Sequence, residues 1–536
     1  MVGKMKFTIL LICAGLVSTT EIIGSNMYAD SIPRDTTIVL MKEVSITANR
    51  REMEVFEGTQ ALSILKEDDL SLLVPMSMPE ALMSAPGVWM QKTNHGGGSP
   101  FVRGLTGYQN LLLIDGIRFN NSTFRSGPNQ YLNTIDPLMI QRIEVVRGQG
   151  SVQYGSDAIG GVVQMISTSP RFSTTKEALW NGSVYGKYMS DNMEKTGRVS
   201  IGLSMENTAV SMGFTGKNLG DIQAGGNLGK MHPTGYNEYA MDLKIIQKNK
   251  SNHLFTLAFQ KHVQRNVPLY HKIISGDYQT YNFDPQQRDL TYMKWEFPLK
   301  TKWVEKIRIT PSFQNSLEGR VKQKTNSAIV KNEKDKVNTF GTVIELISKP
   351  TRHWNISSGI EYYHDKIKSS ASEESENTSV SENLRGLYPN NSSAGNFALF
   401  SLHTIEKKNF NYSFGLRYNA VKLVVSEENF GETTIHTNAI VANSGISYKV
   451  NKLFRIIGSI DSGFRAPNIS DVSSLGIADF RYEIPNLDLK PERSLNMEVG
   501  FKSKFNRFTS NIYFYQNNLS DLITNVKSTY KGQSTI

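Results

Sequence analysis

From about residue 175 to the end, apolar and polar residues alternate in runs longer than soluble strands use. In "FNYSFGLRYNA", Phe410, Tyr412, Phe414, Leu416, Tyr418 and Ala420 fall on one face, and Asn411, Ser413, Gly415, Arg417 and Asn419 on the other. "WNISSGIEY", "LNMEVGF" and "FTSNIYF" repeat the same two-residue period. Soluble strands are typically about 5–6 residues long, whereas strands that cross a bilayer need about 9–11. A large soluble sandwich or propeller would also alternate. Two features point instead to a mainly β, transmembrane antiparallel β-barrel over 175–536. Aromatic residues gather near strand ends, as in "YNEY", "IEYYHD" and "IYFYQ", where a barrel wall meets lipid headgroups. Polar inserts such as 369–384, "SSASEESENTSVSENL", have the composition of solvated outer loops.

Residues 51–172 break this rhythm and predict a small α+β globule ahead of the barrel. "SMPEALMSAPGV" predicts a two-turn helix with Ser77 as N-cap, Glu80 in the first turn and a stop at Pro86-Gly87. "NLLLIDGIRFN" predicts a buried strand, an Asp115-Gly116 turn and a return strand. "IQRIEVV" predicts another strand, running into "RGQGSVQYGSDAIGG". Clustered glycines after a strand suggest a phosphate cradle, but the G-x-G-x-x-G spacing fails at Gln153 and "VVQMIST" reads as strand where a helix is needed. Gly148, Gly150 and Gly155 are therefore expected to serve tight turns, with Gly160 and Gly161 leading into the last strand of the globule.

The N-terminus adds a compartment. Lys4 and Lys6 precede an apolar run from Phe7 to Val17 and then small polar residues, the layout of a secretory signal peptide over 1–29. Cys13 lies inside that run, so the mature chain is expected to have no disulfide or thiolate metal site. Residues 30–50 are expected to form a short tether. The net charge of +10 comes from 59 basic and 49 acidic residues spread along the chain, without the dense basic stripe that tracks nucleic acid. No Ser/His/Asp arrangement, H-E-x-x-H pair or phosphate loop suggests an enzyme. A mean hydropathy of -0.34 is compatible with a wide barrel, in which only alternate residues face lipid.

An ordered set of motifs then becomes specific: "MKEVSITANR", "PEALMSAPGVWMQ", "PFVRGLTG", "LLLIDGIRFN", "IDPLMIQRIEVVRGQGSVQYGSDAIGGVV", "GFRAPNISDV" and "PNLDLKPERSLNMEVGFK". Together they resemble a TonB-dependent outer-membrane receptor, nearest to the haem, haemoglobin and iron-chelate receptor group. The resemblance implies a plug domain inside the barrel lumen, outer-membrane lipid around it, and a TonB-like inner-membrane energy transducer that pulls on a segment near the N-terminus. Glu43, Val44, Ser45, Ile46, Thr47 and Ala48 resemble that segment, which would add to the partner's sheet edge by β-augmentation; an ordinary first plug strand is the other reading. Arg103 and Arg147 match family arginines that latch the plug to barrel carboxylates, and Glu498 matches one such carboxylate. No "GVELE"-like segment supplies the second. The resemblance also implies 22 strands, whereas 175–536 holds about 14–17 at 20–25 residues per strand and loop, so a C-terminally incomplete barrel is expected.

The ligand is less legible. "KTNHGGGSPFVRG" puts His95 on a glycine-rich apex, and imidazole is a good axial ligand for haem iron; a loop residue without a metal role is the other reading. "STFRSGPNQYLNTID", "NVPLY" and "FRAP" also resemble haem receptors. The second histidine common in those receptors is missing from 468–484, and Tyr482 is the candidate phenolate in its place. No intrinsic cofactor is expected. Haem or an iron chelate would be the transported ligand, with a haem-carrying protein or a small chelate as the outside partner. A cobalamin or other metal-chelate importer, a surface haem-binding receptor that does not transport, and a passive porin stay open at this point.

Overall fold

The computed structural model describes residues 44–45, 47, 50–92, 94–127, 131–299, 301, 303–376, 381–427, 431–473, 476–478, 481–483, 486–505, 508–524, 528–530 and 533–535. The described residues all belong to one compact unit, Glu43–Ile536. The proposed signal peptide and most of the tether lie outside the described residues. Among the described residues no helix is long and apolar enough to cross a membrane.

The globule is built on β3 (Ala61–Lys66), β6 (Asn110–Ile114), β7 (Ile117–Arg118), β8 (Ile140–Arg147) and β9 (Gly161–Ser167), in the order β3-β8-β9-β6-β7. Among the described residues, β6 and β9 are the one parallel pair. Two smaller pairs, β1 (Val44–Ser45) with β2 (Met53–Glu54) and β4 (Val88–Gln91) with β5 (Ser99–Val102), flank it. The predicted hairpin is present, with Asp115 and Gly116 both at positive φ, 51° and 86°, as a two-residue turn with the twist of its strands requires. The helix spans Met78–Leu82, and Ser77 makes no side-chain cap. In place of the cap, the Glu80 carboxylate accepts from the Met76 amide at 3.0 Å. At the glycine stretch, Gly148 and Gly155 take φ of 104° and 86°. Gly150 serves a different need, since a Cβ there would sit 2.3 Å from Val162 Cγ2.

The wall is one antiparallel sheet. It rises through β10 (Leu179–Met189), β11 (Glu194–Ser204) and β12 (Thr208–Leu219). The small hairpin β13 (Ile222–Gln223) and β14 (Lys230–Met231) intervenes before β15 (Tyr236–Lys248), β16 (Leu254–Arg265) and the short β17 (Val267–Pro268). The longest strands follow: β18 (Tyr278–Pro298), β19 (Lys306–Lys324), β20 (Ile329–Thr351) and β21 (Trp354–Ser375). Then come β22 (Ser381–Leu384), β23 (Ser393–Lys407), β24 (Phe410–Glu427), β25 (Gly431–Lys449) and β26 (Phe454–Arg465). The hairpin β27 (Gly476–Ala478) and β28 (Arg481–Glu483) precedes β29 (Glu492–Phe505), β30 (Phe508–Ser520) and a last hairpin, β31 (Ser528–Tyr530) with β32 (Gln533–Thr535). Among the described residues the wall comprises 17 strands, and β10 and β30 are its two edges.

The alternation predicted for 410–420 is the alternation observed. Tyr412, Phe414, Leu416 and Tyr418 are exposed on the outer face, while Arg417 and Asn419 are buried inside. One expectation fails: residues 369–375 and 381–384 are strand, not loop. β21 continues upward beside Ile329–Glu333 of β20, and Ala371–Glu374 also pair with β22. Ser, Thr and Glu can line a solvated hairpin on both faces, so polarity alone did not distinguish strand from loop.

The globule sits against the inner face of this wall and shares a core with it. Met78, Leu82, Ile114, Ile143 and Met165 of the globule pack in one cluster with Ala258, Leu290 and Tyr292 of β16 and β18. The short turns (205–207, 249–253, 352–353, 408–409, 450–453) lie at one end of the strands, and the long connections (220–235, 266–277, 466–491) at the other.

Candidate functional site

Several sets of contacts fasten the globule, and the first involves the N-terminal arm. Val44 and Ser45 pair with Glu54 and Met53. One oxygen of the buried Glu144 carboxylate accepts from Ser45 Oγ at 2.6 Å, the Thr47 amide at 2.9 Å and Thr47 Oγ1 at 2.6 Å. The Tyr154 hydroxyl donates to the Thr47 carbonyl at 3.1 Å. Glu43, Ile46 and Ala48 of the predicted pulled segment lie outside the described residues. The described part of that segment is thus docked on β8 through a carboxylate, and each bond to such a charged acceptor contributes about 1.5–3 kcal/mol. Glu144→Ala is expected to speed hydrogen exchange at the Thr47 amide at least about tenfold, the equivalent of about 1.4 kcal/mol. Unchanged protection would show that the arm is held otherwise.

The second set begins three residues further on. Arg50 donates from Nε to the Gln153 carbonyl at 2.7 Å and from Nη1 to Glu345 at 3.2 Å, and its Nη2 pairs closely with Glu361. Arg417 of β24 pairs with the other oxygen of Glu361. The Arg50 guanidinium also lies 4.6 Å from the Tyr154 ring centroid and 4.4 Å from that of Phe400. Arg50 takes φ of 56°, a region few side chains occupy. The sequence did not single these residues out: an inward arginine or glutamate on an alternating strand looks the same whether it faces water or a partner.

At the third set, Arg103 and Glu498 come together as a close ion pair. Arg103 Nη1 also donates to Asn496 at 3.2 Å, and its guanidinium lies 4.1 Å from the Tyr515 ring centroid. Arg147 departs from the expected latch. Among the described residues it has no ion pair; its side chain lies over Gly87, where a Cβ would be 2.8 Å from Arg147 Cδ. Glu498 is already engaged by Arg103, and a second guanidinium there would meet like charge. Glu345 of β20 and Glu361 of β21, which are not on the later strand expected to carry a second carboxylate, hold Arg50.

Asp115, read from the sequence only as a turn residue, is a further junction. Its carboxylate accepts from the Ser167 amide at 2.9 Å, Ser167 Oγ at 2.5 Å and the Tyr292 hydroxyl at 2.9 Å, with Lys244 Nζ at 3.5 Å. Burial alone would raise its pKa; Lys244 and the Ser167 bonds outweigh that and hold it below the usual carboxylate range. The "FRAP" segment grips the globule from the opposite side. Arg465 pairs with Glu492 at 2.7 Å and Asp471 at 2.6 Å and lies 3.6 Å from the Tyr108 ring centroid. The Ala466 amide donates to Ser156 at 3.0 Å.

At the long-loop end the apex segment is aromatic. Phe124 stacks on Tyr131 at 4.1 Å, and Arg125 forks onto Glu318 at 3.0 and 3.3 Å. His95 is at the same end but not open to the outside as expected. It is 4% exposed and packs edge-on against Tyr236 at 5.6 Å. Beside it, a Cβ at Gly96 would lie 2.5 Å from Val267, so the chain after β16 closes over this apex. Neither ring nitrogen makes a hydrogen bond of full geometry, and the polar neighbour it has is the Thr234 backbone. Burial, then the nearby Lys92, lower the imidazole's pKa, against Glu80 and the Thr234 backbone, which raise it. Tyr482 lies in β28 opposite Ile477, within the long connection 466–491. Among the described residues no group of three or more His, Cys, Asp and Glu is placed to hold a metal ion.

A wall with apolar side chains on its outer face and a globule packed against its inner face is the architecture of a plugged membrane barrel. The family description "TonB-dependent Receptor Plug Domain" matches residues 54–162, and "TonB dependent receptor-like, beta-barrel" matches 207–535. The chain belongs to the TonB-dependent receptors. It is 23% identical to the vitamin B12 transporter BtuB of Vibrio vulnificus (strain CMCP6), over 95% of this chain and 76% of that protein. In fold it is similar to the copper transporter OprC (TM-score 0.74, 12% identity, 89% of this chain and 75% of that one). It is also similar to the Serratia marcescens hemophore receptor HasR, solved with its hemophore HasA and heme (TM-score 0.70, 15% identity, 87% and 74%). It is accordingly an outer-membrane transport protein and not an enzyme, and it works with a TonB energy transducer.

Proposed function

We propose that this receptor imports haem or an iron chelate, which enters from the long-loop end and passes when the arm at 43–48 is pulled. The observation that carries the reading is the apex itself. A buried imidazole with no side-chain hydrogen-bond partner lies against Tyr236, and the same end of the plug carries the stacked pair Phe124 and Tyr131. A planar, apolar ligand with an iron centre uses both features. His95 must first be uncovered by movement of the chain around Val267, so ligand capture and plug rearrangement would be coupled. The arm carries the energy input: its docking on Glu144 keeps it in the plug until a stronger strand partner is offered.

Titration of the purified full-length protein with haem, followed at the Soret band, tests the ligand. Binding with a shifted band that is weakened at least about tenfold by His95→Ala, about 1.4 kcal/mol, is the expected result. No binding, or binding indifferent to the substitution, would remove haem and leave the receptor class untouched. The likeness to BtuB favours a second reading, a cobalamin importer, and saturable quenching of protein fluorescence by cyanocobalamin would select it. Import that survives deletion of residues 43–48 would contradict the role given to the arm.

A further inference from the structure

One buried guanidinium of the lumen is left over when its neighbours are paired. Arg288 of β18 reaches from the wall to the globule and is 1% exposed. Its Nε donates to the Thr134 carbonyl of the globule at 3.1 Å, and its Nη2 donates to Gln260 Oε1 of β16 at 3.1 Å. Nη1 is buried and has no hydrogen-bond partner. Among the described residues Arg288 forms no ion pair; its charge lies 5.6 Å from the Phe119 ring centroid. A buried charge is ordinarily paired, and Arg50, Arg103, Arg320 and Arg465 each meet a carboxylate.

The carboxylates around Arg288 are committed elsewhere. Asp289 meets Lys261 at 3.4 Å and accepts from Gln287 at 2.7 Å. Asp115 is held by Ser167, Tyr292 and Lys244. Glu318 takes Arg125 at 3.0 Å and Arg320 at 2.7 Å, and Asp335 pairs closely with Arg320. Arg288 nevertheless lines a space. A cavity of about 30 Å3 lies between the globule and the wall, with Phe119, Phe124, Tyr131 and Tyr388 among its walls. One water needs roughly 10–15 Å3, so this volume takes about two waters, or one halide ion with a water. It is too small for a metal chelate. Aromatic walls keep the local dielectric low, which strengthens the attraction of a guanidinium for an anion. Gln286 lines the same cavity, and its Oε1 has no partner; with the amide turned about, an N–H faces the space instead.

We propose that this cavity binds a monatomic anion, chloride in ordinary media, held by Arg288 Nη1 and the Gln286 amide as the counter-ion that the wall does not supply. Water satisfies the hydrogen-bonding of Nη1 but not its charge. The ion completes the junction between β18 and the Tyr131–Thr134 turn of the globule, and so fastens this side of the plug whatever ligand the receptor transports.

Hydrogen exchange at residues 131–139 of the full-length protein, in sodium bromide and in sodium gluconate of equal ionic strength, provides the test. Bromide stands in for chloride, and gluconate is too large for the cavity. A ligand of the closed state raises protection by 1 + [L]/Kd, so bromide is expected to slow exchange saturably, about tenfold at ten times its Kd. Arg288→Met is expected to abolish the difference. Equal protection in the two salts, or a bromide effect that survives Arg288→Met, would overturn the proposal. If that variant fails to fold, crystals of the unmodified protein grown in bromide decide by anomalous scattering: a bromide peak in contact with Nη1 supports the site, and water alone there overturns it.

Discussion

Glu498→Gln is expected to loosen the plug more than Arg103→Ala does. Removing the carboxylate leaves Arg103 buried without its ion-pair partner, within electrostatic reach of Arg147, and Glu498 also faces Lys502. An uncompensated buried charge costs about 3–5 kcal/mol. Removing Arg103 leaves Glu498 among those other two cations, so the loss should be smaller. Asp461, two strand positions along β26 from Ser459, the cross-strand partner of Glu498, remains in both variants. Hydrogen exchange over residues 99–105, together with conductance of planar bilayers containing the protein, reports the difference. Equal effects would mean that the pair is solvated and that packing holds Arg103.

The second large effect is expected at Glu361. Its two oxygens separate Arg50 of the plug from Arg417 of the wall, so Glu361→Leu brings two buried guanidinium groups face to face. The expected cost is again about 3–5 kcal/mol. Arg50→Ala is expected to cost less, because Glu345 keeps Arg308 at 3.1 Å and Glu361 keeps Arg417. The double variant Arg50→Ala with Glu361→Leu should then recover part of the loss, a coupling that a double-mutant cycle measures. The readout is exchange protection of residues 50–54, just beyond the docked arm. Strict additivity would show that Arg50 does not transmit load between arm and wall.

On the proposed role of the arm, the contacts made by Glu144 and Glu361 would set the order in which a pull is resisted. The arm is held to the plug at Glu144 and Tyr154 and to the wall at Glu345 and Glu361. A pull on residues 43–48 meets the Glu144 contacts first and the wall contacts next. The order follows from chain position and requires no motion of the barrel.

Legibility differed by kind of contact. The outward face of β24, the Asp115-Gly116 hairpin and the strand leading to Arg147 were readable because each rests on a local rule: period two, a two-residue turn, a run of β-branched residues. The Arg103 and Glu498 pair was readable only through family resemblance, since 395 residues separate the partners. Arg147 shows the limit of that route: the motif is present, but its expected carboxylate is taken by Arg103. His95 shows another. A glycine-rich apex suggests exposure, yet the absence of side chains at Gly96 and Gly98 is what lets Val267 and Pro79 close against it.

By itself the sequence determined the class of fold, because alternation, strand length and turn chemistry are properties of neighbouring residues. It also determined which residues of strands such as 410–420 face outward. Tertiary structure decided which inward charges meet. Glu144, Glu345 and Glu361 acquire their roles from the docking of one arm onto two different surfaces. A lumen charge costs little in water and much when buried, and only the packed plug settles which of the two it is.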